Sequence, residues 1–198
     1  MPKIVDHDER RLELVDATWR IIARLGIEGA TMREIATEAG FANGALKPYF
    51  PTKDTLLTFA FGHVFNRTNE RIAEVTAGKT GLAALRAFAL EVLPLDEERV
   101  HEARIVIPFW QKAITDAEKA AIHRDSMEQW HGAILEHLTQ ARKNGDVSSA
   151  VGDGAIAGSL LNMLLGAQIA AALAPQGQVD HGLSDQLEGF LALLQAGP

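Results

Sequence analysis

An all-α fold of about nine helices follows from three features of the sequence. Apolar residues recur at three- and four-residue spacings along most of the chain. No alternating run of β-branched residues bounded by hairpin turns occurs. Residues that cap helices stand where the periodic stretches begin. The 198 residues include no Cys, which removes disulfides, thiolate metal sites and cysteine nucleophiles together and suits a reducing compartment. A chain of this length buries a core without such staples. Its opening residues, MPKIVDHDER, are polar and charged and do not read as a secretory signal.

The elements follow in order. A first helix over 8–25 carries Leu14, Thr18, Ile21, Ile22 and Leu25 on one face, and Gly26 can end it in the left-handed region. A second opens at Thr31, where Thr31 and Glu34 form a capping box, and stops at Gly40. A short third segment runs from Ala42 to Lys47, ahead of Pro48. Thr52 caps a long fourth helix with Asp54 in its positive first turn; its apolar stripe is Leu57, Phe61, Val64, Phe65, Ile72 and Val75. Gly78 and Gly81 bracket the passage to a fifth, which ends before Pro94. A sixth starts near Asp96 and is expected to bend at Pro108. A second capping box, Thr115 to Glu118, opens a seventh that stops at Asn144 and Gly145. The eighth reaches about Ala174, and the ninth covers 184–196.

Residues 31–57, TMREIATEAGFANGALKPYFPTKDTLL, carry the functional signal. Ile35, Ala36 and Ala39 give the second helix a small apolar face, Gly40 permits a tight turn, and Leu46, Tyr49 and Phe50 return an apolar face. Two short helices joined this way form a helix-turn-helix, whose second member can enter a DNA major groove. Leu46 then faces the core and leaves Ala42, Asn43 and Lys47 outward. Asn can pair with adenine, Lys can donate to guanine, and Ala can touch a thymine methyl. Thr31 and Lys53 suit phosphates, which position a domain without reading sequence. Arg10 and Arg11 read either as a flexible arm reaching DNA or as solvated charges.

The pattern of Thr31, Ile35, Ala36, Ala39, Gly40, Gly44, Leu46, Tyr49, Phe50, Lys53 and Leu56 or Leu57 resembles the N-terminal domain of TetR-family regulators over residues 10–57. The resemblance implies DNA contacts from Thr31, Arg33, Ala42, Asn43, Gly44, Lys47, Tyr49 and Lys53. Two departures stand out. Lys47 replaces an aromatic residue common in the family, and Pro48 follows it; proline disfavours helical geometry at Lys47, so the recognition helix is expected to be short. From about residue 80, LRAFALEVLPLDEERVHEARIVIPFWQKAI is similar to the BetI-like branch of this family. That likeness implies a ligand cavity among the middle helices, a dimer interface from the last two, and choline-like cations as ligands. The division expected is residues 1–52 for DNA binding and 53–198 for ligand binding and dimerisation.

The candidates for that cavity are Phe65, Trp110, Gln111, Met127, Trp130, His131 and Asn162, large rings with a few polar groups. An ordinary core needs the same residues. For the interface they are Gly154, Ala157, Gly158, Leu161 and Leu165 of the uncharged eighth helix, with Leu187, Leu191 and Leu194 of the ninth. Residues 154–179 hold no charge and approach the length of a membrane span. Ser159, Asn162 and Gln168 interrupt them and no basic flank anchors them, so a buried helix is expected instead. His123 and His131 lie two turns apart, too far to chelate one ion unaided. No cofactor is expected.

The net charge of −7 speaks against indiscriminate nucleic-acid binding. Residues 1–60 hold eight Lys/Arg against nine Asp/Glu, so most of the acid lies beyond the helix-turn-helix. No phosphate-cradling loop, dinucleotide fingerprint or nucleophile elbow occurs, which speaks against an enzyme. Asp96, Glu97 and Glu98 read as charges favoured by a helix dipole. The expectation is a cytoplasmic, homodimeric repressor, released from a double-stranded DNA operator by an unknown small-molecule effector and with no membrane partner. The alternative is a ligand-binding or interaction protein that has lost DNA binding.

Overall fold

The computed structural model describes residues 7–42, 44–174 and 182–195. They form eight α-helices: α1 (His7–Gly29), α2 (Met32–Glu38), α3 (Lys53–Thr76), α4 (Gly81–Val92), α5 (Glu97–Ala113), α6 (Ala117–Asn144), α7 (Asp153–Leu173) and α8 (Leu183–Gln195). No strand occurs among the described residues. Between α2 and α3, where the sequence predicts a further short helix, the described residues run as overlapping turns. Its amides bond mostly three residues back: Ala45 to Ala42 O, Lys47 to Gly44 O and Tyr49 to Leu46 O. Pro48 accounts for this, since it has no amide to donate and disfavours helical backbone at Lys47.

Local chemistry sets the helix ends. Thr31 accepts from the Glu34 amide at 3.3 Å and Glu34 Oε2 accepts from the Thr31 amide at 3.2 Å, a closed capping box. Thr52 and Thr55 make the reciprocal pair at the start of α3. At α6 the cap is Asp116, one residue later than the expected Thr115. Its carboxylate accepts from the amides of both Glu118 and Lys119, which a neutral hydroxyl would do more weakly. The first helical run ends as expected at Gly26 (φ +70°), but a further turn continues to Gly29 across the kink. Leu25, expected in the core, is exposed there.

Two cores organise the molecule. The first gathers Leu14, Ile21, Ile35, Leu46, Phe50 and Leu56 from the N-terminal elements, together with Ile105 and Phe109 of α5. The second gathers Leu85, Phe88, Ile134, Leu138, Leu160 and Leu187 from α4, α6, α7 and α8. Helix α3 belongs to both: Leu56, Leu57, Ala60, Phe61 and Val64 lie in the first, and Ile72 in the second. Helix α7 is long and apolar enough to cross a membrane by length and composition. In this fold Ile156, Leu160 and Leu164 bury one side of it in the second core.

Candidate nucleic-acid interface and effector cavity

The helix-turn-helix is held from below by aromatic and cationic contacts. Phe41 meets Tyr49 edge-on, with ring centroids 5.9 Å apart. Arg10 lies 5.6 Å over the Phe41 ring, and Arg11 lies 5.6 and 5.4 Å over Phe50 and Phe59. These cation–π contacts dock both arginines on the domain, so neither sits on a free arm. Arg20 and Arg24 both bond Glu38, at 2.8 and 3.1 Å, pinning α1 to the end of α2.

The residues expected to face DNA divide clearly. Thr31, Arg33, Ala42, Gly44 and Lys47 are exposed. Lys53 is half-buried at the first turn of α3, and Tyr49 is half-buried against Phe41. Asn43 lies outside the described residues. The Thr31 hydroxyl is already engaged with Glu34 at 2.6 Å, and that bond holds the Glu34 carboxyl below its ordinary range. Gly40 and Gly44, at φ +73° and +88°, take the left-handed backbone that the turn before and within this segment requires.

Beneath the helix-turn-helix, α3 to α7 enclose a cavity of about 40 Å³. Its lining combines the aromatic and aliphatic side chains of Phe61, Phe65, Trp110, Met127, Trp130 and Leu165 with the polar Thr68, Glu91, Arg99, Glu102 and Gln168. Those polar groups are tied up. Arg71 grips Glu102 through two bonds, at 3.0 and 2.9 Å, and Glu91 at 2.6 Å. Desolvation works to lower the Arg71 pKa, but the bonds to Glu102 and Glu91 outweigh it and raise it above the ordinary value. Arg99 bonds Asp96 and the Leu90 carbonyl. Gln168 donates to Val92 O, and Trp130 donates to Asn69 at 2.9 Å. Glu102, only 4% exposed, is thus a buried charge made tolerable by a bidentate guanidinium.

Of the cavity candidates, Phe65, Trp110, Met127 and Trp130 line this space. Gln111 and Asn162 do not; both are exposed. Gln111 falls about 100° around α5 from Trp110, and Asn162 lies on the outer side of α7. His131 borders a separate open groove between α6 and α7, with His123, Arg124, Glu128 and Leu161. The sequence reading missed Glu91, Arg99, Glu102 and Gln168, whose partners come from other helices. Among the described residues no three His, Asp or Glu side chains group to hold a metal ion.

The interface candidates need correction as well. Ala157, Leu161, Leu187, Leu191 and Leu194 are buried within the chain's own second core, while Gly154 is exposed and Gly158 and Leu165 are half-buried. The uncovered side of α7 instead carries Ala155, Ser159, Asn162, Gly166, Ile169 and Leu173, and Leu193 adds to it on α8. Leu173 and Leu193 are 80% and 72% exposed.

A helix-turn-helix unit joined by a shared helix to a bundle with an internal cavity has the parts that a DNA-binding regulator with a sensing domain needs. Residues 14–58 match the model of bacterial regulatory proteins of the tetR family, and residues 82–194 match the C-terminal domain of BetI-type transcriptional repressors. The chain belongs to the TetR family of ligand-responsive, DNA-binding transcriptional regulators, in its BetI-type branch. It is 39% identical over 110 residues to the transcriptional regulator PksA of Bacillus subtilis, a stretch covering 55% of this chain and 54% of that protein. It is 27% identical over 145 residues to the regulator BetI of Burkholderia ambifaria, covering 71% and 74%. A solved regulator from Saccharomonospora viridis, in complex with choline, superposes with a TM-score of 0.83 at 20% identity, covering 93% and 96%.

Proposed function

We propose that the chain is a cytoplasmic homodimeric repressor without enzymatic activity or a membrane partner. Residues 1–52 bind a near-palindromic operator, and residues 53–198 bind a small molecule and pair two subunits. The observation that carries this reading is α3, whose first turns pack in the DNA-facing core and whose later turns wall the cavity. A ligand that displaces Phe65 or Thr68 acts on the same rigid rod that supports the recognition segment. DNA must weaken ligand binding by the same factor as ligand weakens DNA binding.

Arg33 on α2, with Ala42, Gly44 and Lys47 in the exposed turns, forms the DNA-facing surface, Gly44 through its backbone, with Lys53 and Thr31 toward phosphates and Asn43 as a base reader. The uncharged outer side of α7, with Leu193 of α8, pairs the subunits. Anisotropy titration against the gene's own upstream DNA, at two salt concentrations, tests the first part. Affinity no greater than for random duplex would overturn it. The turn-rich segment in place of a recognition helix favours one second reading, a sensor that no longer binds DNA, and the same titration decides between them.

A further inference from the structure

We propose that Lys119, on α6 of the sensing domain, is a positioning residue for DNA binding. Through Asp54 its ammonium fixes the first turn of α3, which carries Lys53 directly after the recognition turns. The inference rests on reading those turns and Lys53 as the DNA-facing surface.

Among the described residues Lys119 is the one buried cation. Its ammonium lies 2.7 Å from Asp116 Oδ2 and 2.5 Å from Asp54 Oδ2. The contact with Asp116 is local and rigid. Asp116 Oδ1 accepts from the amides of Glu118 and Lys119 at 3.0 and 3.1 Å, which locks that carboxylate onto the end of α6. The Lys119 side chain folds back over this cap, so its ammonium is set in place before it meets Asp54. Such preorganisation lowers the entropy that a long lysine side chain loses in a bridge. The contact with Asp54 is the one that crosses between elements.

Both ends of the bridge bear on where α3 begins. Behind Lys119, α6 enters the second core at Trp130, whose indole also donates to Asn69 farther along α3. Helix α6 is therefore held independently of the recognition turns and offers Asp54 a fixed point. In front, Thr52 and Thr55 close the start of α3 on itself, and Lys53 and Asp54 are its first two residues. That capping sets the shape of the turn. Leu56 and Leu57 seat it in the first core, and Lys119 adds a hold from a helix anchored in the second.

Charge makes the idea testable by sign. Asp54 stands one residue from Lys53, where a carboxylate repels the phosphates that Lys53 attracts. Acting through its own charge alone, Asp54 would weaken DNA binding, and its removal would tighten it. Acting through Lys119 it places the turn, and its removal must loosen DNA binding.

Anisotropy titration of the full chain on the gene's own upstream DNA reads that sign. The active fraction of each variant is first fixed by stoichiometric titration, so that partial unfolding does not enter the Kd. Asp54→Ala and Lys119→Met should each weaken binding about tenfold, and the double variant should bind no worse than the weaker single, since all three lose one bridge. Asp54→Ala should also flatten the salt slope by about one, as loss of the Lys53 contact would, although it removes no cation. Asp54→Ala binding as tightly as the unaltered chain or more so, an unchanged salt slope, or losses that multiply in the double variant would overturn the proposal. So would a lowered active fraction with an unchanged Kd, which is the mark of a bridge that only stabilises. Should Lys119→Met fail to fold, the sign for Asp54→Ala decides alone. An unaltered chain that prefers its upstream DNA no more than random duplex sinks the DNA-binding reading and this inference together, whereas the variant outcomes sink this inference and spare that reading.

Discussion

Lys119 is 6% exposed and holds two carboxylates from different elements, Asp116 at 2.7 Å and Asp54 at 2.5 Å. The hydrogen bond to Asp116, then that to Asp54, keeps its pKa raised. It ties the start of α6 to the first turn of α3, beside Lys53. Lys119→Met should cost about 1–2 kcal/mol in urea unfolding, limited because both carboxylates reach water; an unchanged midpoint would show that the clasp is idle. His123 and His137 act oppositely. Burial lowers both pKa values below 6.5, so the unfolded chain takes up protons first as acid is added. Their stabilisation is complete above pH 6.5 and is lost as pH falls toward the folded values. Each contributes a slope of up to about 1.4 kcal/mol per pH unit. Unfolding curves between pH 7 and 5 should show this loss, and a His123→Gln, His137→Gln variant should flatten it. The long-range pairings were not legible in the sequence. Lys119 meets Asp54 across 65 positions, and nothing local marks Arg71, Glu91 and Glu102 as partners. The capping pairs were legible because three residues of chain contain the whole interaction.

At the level of elements, helix ends read well and helix sides read half. Thr31, Thr52, Asp96 and Gly145 act where their chemistry placed them. The stripe of Leu187, Leu191 and Leu194 was expected at a subunit interface; spacing marks an apolar stripe but cannot say whether the cover is the same chain or another. Here it is the same chain. Two substitutions probe element boundaries. At Gly81, φ is +59° and a Cβ would lie 3.1–3.3 Å from Asn144 and the Ala141 backbone. Gly81→Ala should therefore cost about 2–3 kcal/mol by urea unfolding, combining backbone strain with overpacking of α4 on α6. Gly78→Ala, with nothing within 4 Å of its added carbon, should cost only about 1 kcal/mol. Pro48→Ala restores an amide and frees Lys47 to turn helical. Hydrogen exchange at residues 47–50 should slow, and unchanged exchange would mean that proline is not what keeps the segment in turns.

For the whole molecule, net charge proved a poor guide to partners, since the family match and the exposed turn segment outweigh a formal charge of −7. Lys53→Ala should weaken binding to every duplex alike and reduce the salt slope by about one; selective loss at one sequence would reassign Lys53 to base reading. The shared membership of α3 has a further consequence. Leu56, Phe61 and Val64 cannot leave the first core while Ile72 stays in the second without breaking the helix between them. Ile105 and Phe109 of α5 enforce the same bond from the other side. Heat should then find no halfway house: a single calorimetric peak, with van't Hoff and calorimetric enthalpies equal, in place of two domains melting at their own temperatures.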